Sequence, residues 1–336
     1  MPIVNLRSIG YYLDSYSFDS VRLYSDCIQR VSLDAVGVKQ ILKKEDLFMT
    51  IAITGATGQL GNFVIKHLLK KLPANQIVAV VRNTEKAASL SSLGVEIRYG
   101  NYMDPASLVK AFSGISKLLL ISSSDAFDET LRMVQHASVI RAAKNAYVGH
   151  ICYTGTAFAE DATFGPALLH LATEYAIRAS RLNYTFLRDT LYTELFISPD
   201  LVKSIDSGVI VTNTGNGKIN SVARNDLALA HATVLTQTGH ENKTYNLVSN
   251  QSWTFDELAQ ILSDLSQKKI VHNSGSFEEA RDYLIKCGFD ELKAAGRALI
   301  YNQVAAGEWA KKSDDLRTLI GKQTPLKETV KQVLNI

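Results

Sequence analysis

In the stretch ITGATGQLG, glycines stand at positions 55, 58 and 61, between an apolar run and a segment with helical spacing. Glycine has a physical use at each point. It permits a tight turn at Gly55, close approach of backbone to a ligand at Gly58, and close packing of helix on strand at Gly61. A helix opening near Gln59 turns unpaired N–H groups and the positive end of its dipole toward that loop, which suits phosphate. Gly55, Thr57, Gly58, Gln59, Leu60 and Gly61 are therefore candidate contacts for a dinucleotide, with a ligand-free βα turn as the plain alternative. Arg82 follows the apolar run QIVAVV. A carboxylate at the end of that second strand would take a ribose 2′-hydroxyl, whereas an arginine can pair with a 2′-phosphate. Arg82 thus points to NADP(H) over NAD(H), the alternative being a solvated arginine at a strand end. Further on, His170 and Glu174 are four apart in LLHLATEYAIRAS, so a helix there puts both on one face. Either they line an acceptor pocket, with His170 able to donate a proton, or they form a surface pair of little consequence.

These residues need a scaffold, and the apolar pattern supplies one. The runs MTIAIT, QIVAVV, VEIRYG, KLLLIS, HICYT and YTFLRD alternate with helix-period segments QLGNFVIKHLLKKL, TEKAASLSSL, PASLVKAF, TLRMVQHASVIRAAKNA and PALLHLATEYAIRASRL. Strand and helix in alternation predict an α/β fold, a Rossmann-like doubly wound parallel sheet with helices on both faces. Strands buried on both sides explain the continuous apolar runs. The core is expected over 49–195. Beyond it, strands at GVIVT and TYNLVS and helices at NDLALAHATVLT, TFDELAQILSDLS and FEEARDYLIKCG suggest a smaller C-terminal α/β part, 196–336, that caps the substrate end and packs on the same core, not a separate domain. The stretch GNGKI lacks P-loop spacing and reads as a hairpin turn, or else as a place where Lys218 meets a phosphate.

Composition excludes several classes of function. The chain has 336 residues, 46% of them apolar and 21% charged, as in an ordinary globular protein. A net charge of +3 from 36 basic and 33 acidic residues gives no reason to expect nucleic acid or a membrane as partner. Cys27, Cys152 and Cys287 are scattered, so neither a disulfide framework nor a zinc site is expected, and Cys152 falls in an apolar strand. His67, His136, His231 and His240 show no metal-ligand spacing, so no metal is expected. With no apolar run of spanning length and no signal peptide, the chain reads as cytoplasmic.

From Met49 to about Ser124, through TGATGQLG, QIVAVVRN and KLLLISSS, the chain resembles the NmrA-like, atypical short-chain dehydrogenase/reductases. Within that group it is most similar to the bacterial NADPH:quinone oxidoreductases related to triphenylmethane reductase. The likeness continues more weakly through YTFLRDTLY, GNGKI and LVSNQSWTFDELAQ, so it covers 49–336. It implies a Rossmann fold, bound NADPH and a small-molecule, quinone-like acceptor. It also implies that Ser122, Ser123 and Ser124 form a loop beside the cofactor and that Asp189 and Tyr192 lie near the nicotinamide. Relatives share His and Glu at positions 170 and 174, but carry asparagine where this chain has Asp189.

Typical short-chain dehydrogenases use Tyr-x-x-x-Lys, whose lysine lowers the tyrosine pKa for proton exchange with the substrate. None of the fourteen tyrosines here has lysine four residues on. Hydride addition to a ketone makes a strongly basic alkoxide, which needs an acid. Addition to a quinone makes an aromatic oxyanion that water can protonate, so stacking and alignment matter most. The sequence therefore points to an NADPH-dependent reductase of quinones or similar conjugated acceptors. The alternative is a non-catalytic NADP-binding redox sensor; an epimerase or dehydratase of nucleotide sugars is disfavoured by the missing motif. A homo-oligomer is left open.

Residues 1–48 carry six basic and six acidic residues with no sustained period, and a parallel sheet has no use for them. Lys44, Glu45 and Asp46 can be encoded AAG-GAG-GAT, which contains a ribosome-binding AAGGAGG shortly before the ATG of Met49. The segment is expected to be a non-native or disordered extension, a translated leader of bacterial source, rather than a regulatory arm.

Overall fold

The computed structural model describes residues 49–124, 128–162, 165–197 and 201–335; the extension read over 1–48 lies outside them. The apolar runs form β1 (Ile51–Thr54), β2 (Ile77–Val81), β3 (Glu96–Tyr99), β4 (Lys117–Leu120), β5 (His150–Thr156), β6 (Asn183–Asp189), β7 (Val209–Thr212), β8 (Lys243–Leu247) and β9 (Val271–Ser274). Among the described residues the main sheet runs β3-β2-β1-β4-β5-β6-β8, with every neighbouring pair parallel. Strand order reverses between β1 and β4. That reversal opens a crevice at the carboxyl ends of the strands, where sheets of this kind hold ligands.

The helices are α1 (Gln59–Leu68), α2 (Ala88–Ser91), α3 (Pro105–Ala111), α4 (Glu129–Asn145), α5 (Gly165–Ser180), α6 (Thr193–Phe196), α7 (Leu201–Ser207) and α8 (Arg224–Thr236). They continue with α9 (Phe255–Ser266), α10 (Phe277–Lys286), α11 (Glu291–Ala305), α12 (Asp315–Ile320) and α13 (Leu326–Leu334). Side chains alternate along each strand, so both faces of the sheet receive apolar groups. Ile51, Ile53, Ile77 and Ala79 meet Val64 and Ile65 of α1 and Leu227 and Leu235 of α8 on one face. Ala52, Val78 and Val80 meet Leu108 of α3, Val139 of α4 and Ile177 of α5 on the other. Cys152 is fully buried on the first face, as its strand position suggested.

Two expectations change, and the C-terminal part takes its place in the same layers. The segment TEKAASLSSL is not one helix but a 3-10 turn, Glu85–Ala87, running into the four-residue α2. Past residue 195, α8 packs on α1, and β8 pairs with β6 to extend the main sheet. A second core around Phe196, Trp253, Phe255, Leu262 and Tyr301 is built from the rest of the C-terminal part. Two of its helices start at complete capping boxes, Thr254 with Glu257 for α9 and Ser276 with Glu279 for α10. Finally, GNGKI is not a hairpin turn, because β7 pairs with β9 in parallel; Lys218 is exposed. No helix among the described residues is long and apolar enough to cross a membrane.

Candidate functional site

The glycine loop leaves β1 at the strand reversal. Gly55 has φ +61°, a left-handed conformation that glycine takes without strain, and its carbonyl accepts the Gly58 N–H at 2.9 Å. A Cβ at Gly61 would lie 2.5 Å from the Gly55 carbonyl oxygen and 2.8 Å from Ala56 Cα, so even alanine would push α1 off the loop. Asp104, Asp128 and Asp290 cap α3, α4 and α11 through their side chains, whereas α1 begins at Gly58 with no side-chain cap. The first-turn N–H groups of Gln59, Leu60 and Gly61 are therefore left for an anion. Gly55, Thr57, Gly58 and Gln59 are exposed; the Leu60 side chain is in the core, so only its backbone can serve a ligand. Arg82 directly follows β2, is exposed, and has no ion pair or hydrogen bond among the described residues. An open glycine loop, an uncapped helix start and a free guanidinium one strand away fit a dinucleotide bearing a 2′-phosphate.

Sequence reading missed Tyr102. Its hydroxyl lies 2.6 Å from Thr54 Oγ1 and 3.0 Å from the Ile121 carbonyl, and so ties the ends of β1 and β4 together beside the loop. Burial pushes the phenol well above its ordinary pKa, so it serves as a neutral latch. No local pattern marks such a residue, because its partners are distant in sequence.

The Ser122–Ser124 segment leaves β4 next to this latch. Ser122 donates its N–H to Thr154 Oγ1 (2.9 Å) and accepts from Arg132 Nη2 (3.0 Å), while Ser124 is exposed. The N–H of Ser123 donates to His136 Nε2 at 2.9 Å, which requires that nitrogen to be unprotonated. The His136 Nδ1–H then donates to Thr173 Oγ1 (2.9 Å), whose hydroxyl donates to the Leu169 carbonyl (2.9 Å). Burial, reinforced by the Arg132 charge, lowers the His136 pKa to about 4. Burial and the Lys117 charge do the same to His150, also to about 4.

These two histidines make a prediction about acid stability. Unfolded histidine titrates near ~6.5, above both folded values. Between the two the unfolded chain binds more protons, so their contribution is intact at neutral pH and is lost as pH falls from the unfolded toward the folded values. The unfolding free energy should drop by up to about 1.4 kcal/mol per pH unit for each histidine in that window. Urea titrations at several pH values check this, and stability that stays level from neutral into the acid range would show that these rings are not held neutral.

His170 and Glu174 do share a face of α5, but it faces the sheet and each has its own partner. His170 Nδ1 is 2.8 Å from the Tyr153 hydroxyl on β5. Burial and the Arg132 charge lower the His170 pKa to about 3, and burial raises that of Tyr153 to about 12. Both are neutral at physiological pH, and neither is poised to release a proton. Both Glu174 oxygens receive the Arg188 guanidinium, at 2.8 and 2.7 Å, and Glu160 takes the same arginine at 2.6 and 2.6 Å. Glu174 is therefore a buried anchor; a carboxylate so engaged does not line an acceptor pocket.

Asp189 closes β6, and its side chain has a partner of its own. Alternation along β6 sends Arg188 toward α5 and Asp189 toward α8, where its Oδ1 is 2.8 Å from His231 Nε2. Its carboxylate is buried against a fully buried histidine, and its backbone carbonyl accepts the Ala157 N–H. Tyr192, three residues on, does stand at the carboxyl edge. The Arg224 guanidinium lies 4.4 Å from its ring centroid, and burial followed by the Asp189 charge raises its pKa. A separate cavity of about 410 Å³ is lined by Ser221, Asp226, Trp253, Glu257 and Gln323 among others, and by none of the expected site residues. Its carboxylates are engaged, Asp226 by Thr324 (2.6 and 2.9 Å) and Glu257 by the Thr254 N–H (2.9 Å), so the strand ends remain the candidate site.

The model of the NmrA-like family matches residues 49–328. Over 287 residues the chain is 39% identical to quinone oxidoreductase 2 of Escherichia coli (strain K12), covering 85% of this chain and 99% of that one. Among solved structures it is similar to the Citrobacter sp. triphenylmethane reductase complexed with NADP(H), with a TM-score of 0.83 and 60% identity over 85% of this chain and 100% of that one. The NADPH-dependent quinone oxidoreductase of Escherichia coli complexed with NADPH matches with a TM-score of 0.80 and 39% identity, at the same coverage of 85% and 100%.

Proposed function

The chain belongs to the NmrA-like family, and from that premise we propose that it is an NADPH-dependent oxidoreductase that reduces quinones or similarly conjugated small molecules. The glycine loop and the start of α1 hold the pyrophosphate, and Arg82 takes the 2′-phosphate at the end of β2. That assigns the adenosine end to the β2 side and leaves the ends of β4, β5 and β6 for the nicotinamide and the acceptor. NADPH, when bound, supplies a hydride, that is, two electrons and one proton.

One observation carries the acceptor class: the titratable groups toward that end of the crevice, Tyr153, His170 and Tyr192, are all shifted by burial away from physiological pH, the phenols upward and the imidazole downward. An acceptor that becomes a basic alkoxide would find no acid there tuned toward physiological pH. A quinone takes the hydride to become an aromatic oxyanion and completes its reduction to hydroquinone with one proton from water. A relative named for quinones and another named for triphenylmethane dyes both reduce conjugated acceptors, which supports the reading. Use of NADPH and the buried thiols Cys152 and Cys287 suit a reducing cytoplasm. NADPH consumption with a panel of quinones, beside simple ketones as controls, tests the proposal. Consumption should follow the quinones, and failure with every quinone would reject it.

If no dedicated acid exists, His170→Ala and Tyr192→Phe should leave the single-turnover rate at saturating benzoquinone within about tenfold, since general acid catalysis contributes roughly 100- to 10,000-fold. The rate should also stay level from mildly acidic to mildly basic pH. A loss of several orders of magnitude in either variant would identify that residue as the proton donor.

A further inference from the structure

Phe158 lies two residues past the carboxyl end of β5, with φ +53° and ψ +38°. A bulky side chain in this left-handed region is strained, and such strain persists only where surroundings enforce it. At the other described non-glycine residues that share it, the conformation has ordinary reasons. Tyr147, Arg181, Gln267 and Asn335 end helices, and Asn242 sits in the turn before β8. Phe158 ends a strand and starts only a 3-10 turn, Ala159–Asp161.

Its loop is held from several sides. The Phe158 N–H donates to Asn246 Oδ1 on β8 at 3.0 Å, and the Ala157 N–H donates to the Asp189 carbonyl on β6 at 2.9 Å. Glu160 is clamped by Arg188 at 2.6 Å, and Lys311 reaches Asp161 at 2.9 Å. The same Lys311 ammonium stands 5.5 Å from the Phe158 ring centroid. Strands β6 and β8 and the segment after α11 thus converge to keep one aromatic ring at the carboxyl edge, and that ring is only partly buried.

We propose that Phe158 is the stacking platform for the acceptor, a specificity residue whose ring selects planar conjugated molecules at the nicotinamide end of the crevice. The proposal rests on the NADPH-to-quinone reading above. Planar, electron-poor rings stack well on aromatic side chains, and a site without a proton donor depends on such alignment.

Phe158→Gly separates the ring from the strain, because glycine adopts the left-handed backbone freely. Its melting temperature should hold or rise, and its affinity for NADP+ should not change. Its KM for a bicyclic naphthoquinone should rise about tenfold or more, with a smaller change in kcat and a smaller rise for monocyclic benzoquinone, since less stacked area is lost. Phe158→Tyr should restore the wild-type preference. Calorimetry of naphthoquinone binding to the NADP+-loaded protein, where no turnover occurs, should show the same loss. A glycine variant that binds naphthoquinone as tightly as wild type, or that loses NADP+ binding and kcat equally, overturns the platform and leaves the reductase reading standing. Wild-type protein that binds naphthoquinone in a Phe158-dependent way but never reduces it overturns the reductase reading alone.

Discussion

Arg82→Ala is expected to raise the KM for NADPH roughly 10- to 150-fold, the equivalent of one hydrogen-bonded charge at about 1.5–3 kcal/mol, and to leave the KM for NADH nearly unchanged. Arg82 follows β2, where an adenosine 2′-substituent would lie, and no carboxylate among the described residues occupies its guanidinium. Removing it therefore breaks no internal contact, so the melting temperature of the ligand-free protein should stay where it is. Arg82→Lys should recover only part of the affinity, because an ammonium offers a point charge in place of a planar fork. Steady-state kinetics with both cofactors decide the matter. Equal effects on NADPH and NADH would remove Arg82 from the 2′-phosphate site.

The largest effect on stability is expected at Arg188. Its guanidinium is 5% exposed and bridges Glu174, 2% exposed, to Glu160, 55% exposed. Arg188→Met would strand the Glu174 carboxylate between α5 and β6, and breaking a buried pair from one side costs about 3–5 kcal/mol. Glu160 can turn to water and adds little. The double variant Arg188→Met, Glu174→Gln should regain much of the loss, because it leaves no buried charge unpaired. Urea unfolding measures both, and a single variant less than about 1 kcal/mol below wild type would mean that the pair is not holding α5 to the sheet. Arg188 also draws the Glu160 carboxyl below its usual pKa. That part of the stability is present above the unfolded glutamate value and is lost as pH falls through the folded one, so Arg188→Met should flatten the acid limb. Because Glu160 belongs to the loop that displays Phe158, acceptor KM should rise in the same variant.

Much of the cofactor half could be read from the sequence because its signals are contiguous. Gly55, Gly58 and Gly61 lie within seven residues, and what they do depends on the local turn and on the first turn of α1. The place of Arg82 directly after β2 could be read because one apolar strand leads straight into it. The parallel α/β architecture was legible for a related reason, since strands buried on both faces must be apolar throughout. Helical spacing correctly put His170 and Glu174 on one face of α5.

Periodicity says which residues share a face but not what that face meets. Strand order and register place Arg188 against Glu174, Tyr153 against His170, His231 against Asp189, and Tyr102 across the ends of β1 and β4. The same long-range pairing put β8 into the main sheet. The left-handed backbone of Phe158 had no signal at all, because a residue type that disfavours a conformation cannot announce it. The chain by itself determined where a phosphate can be held, through local turns and dipoles; which side chains are charged, neutral or strained was decided by burial, and burial exists only once distant segments have packed.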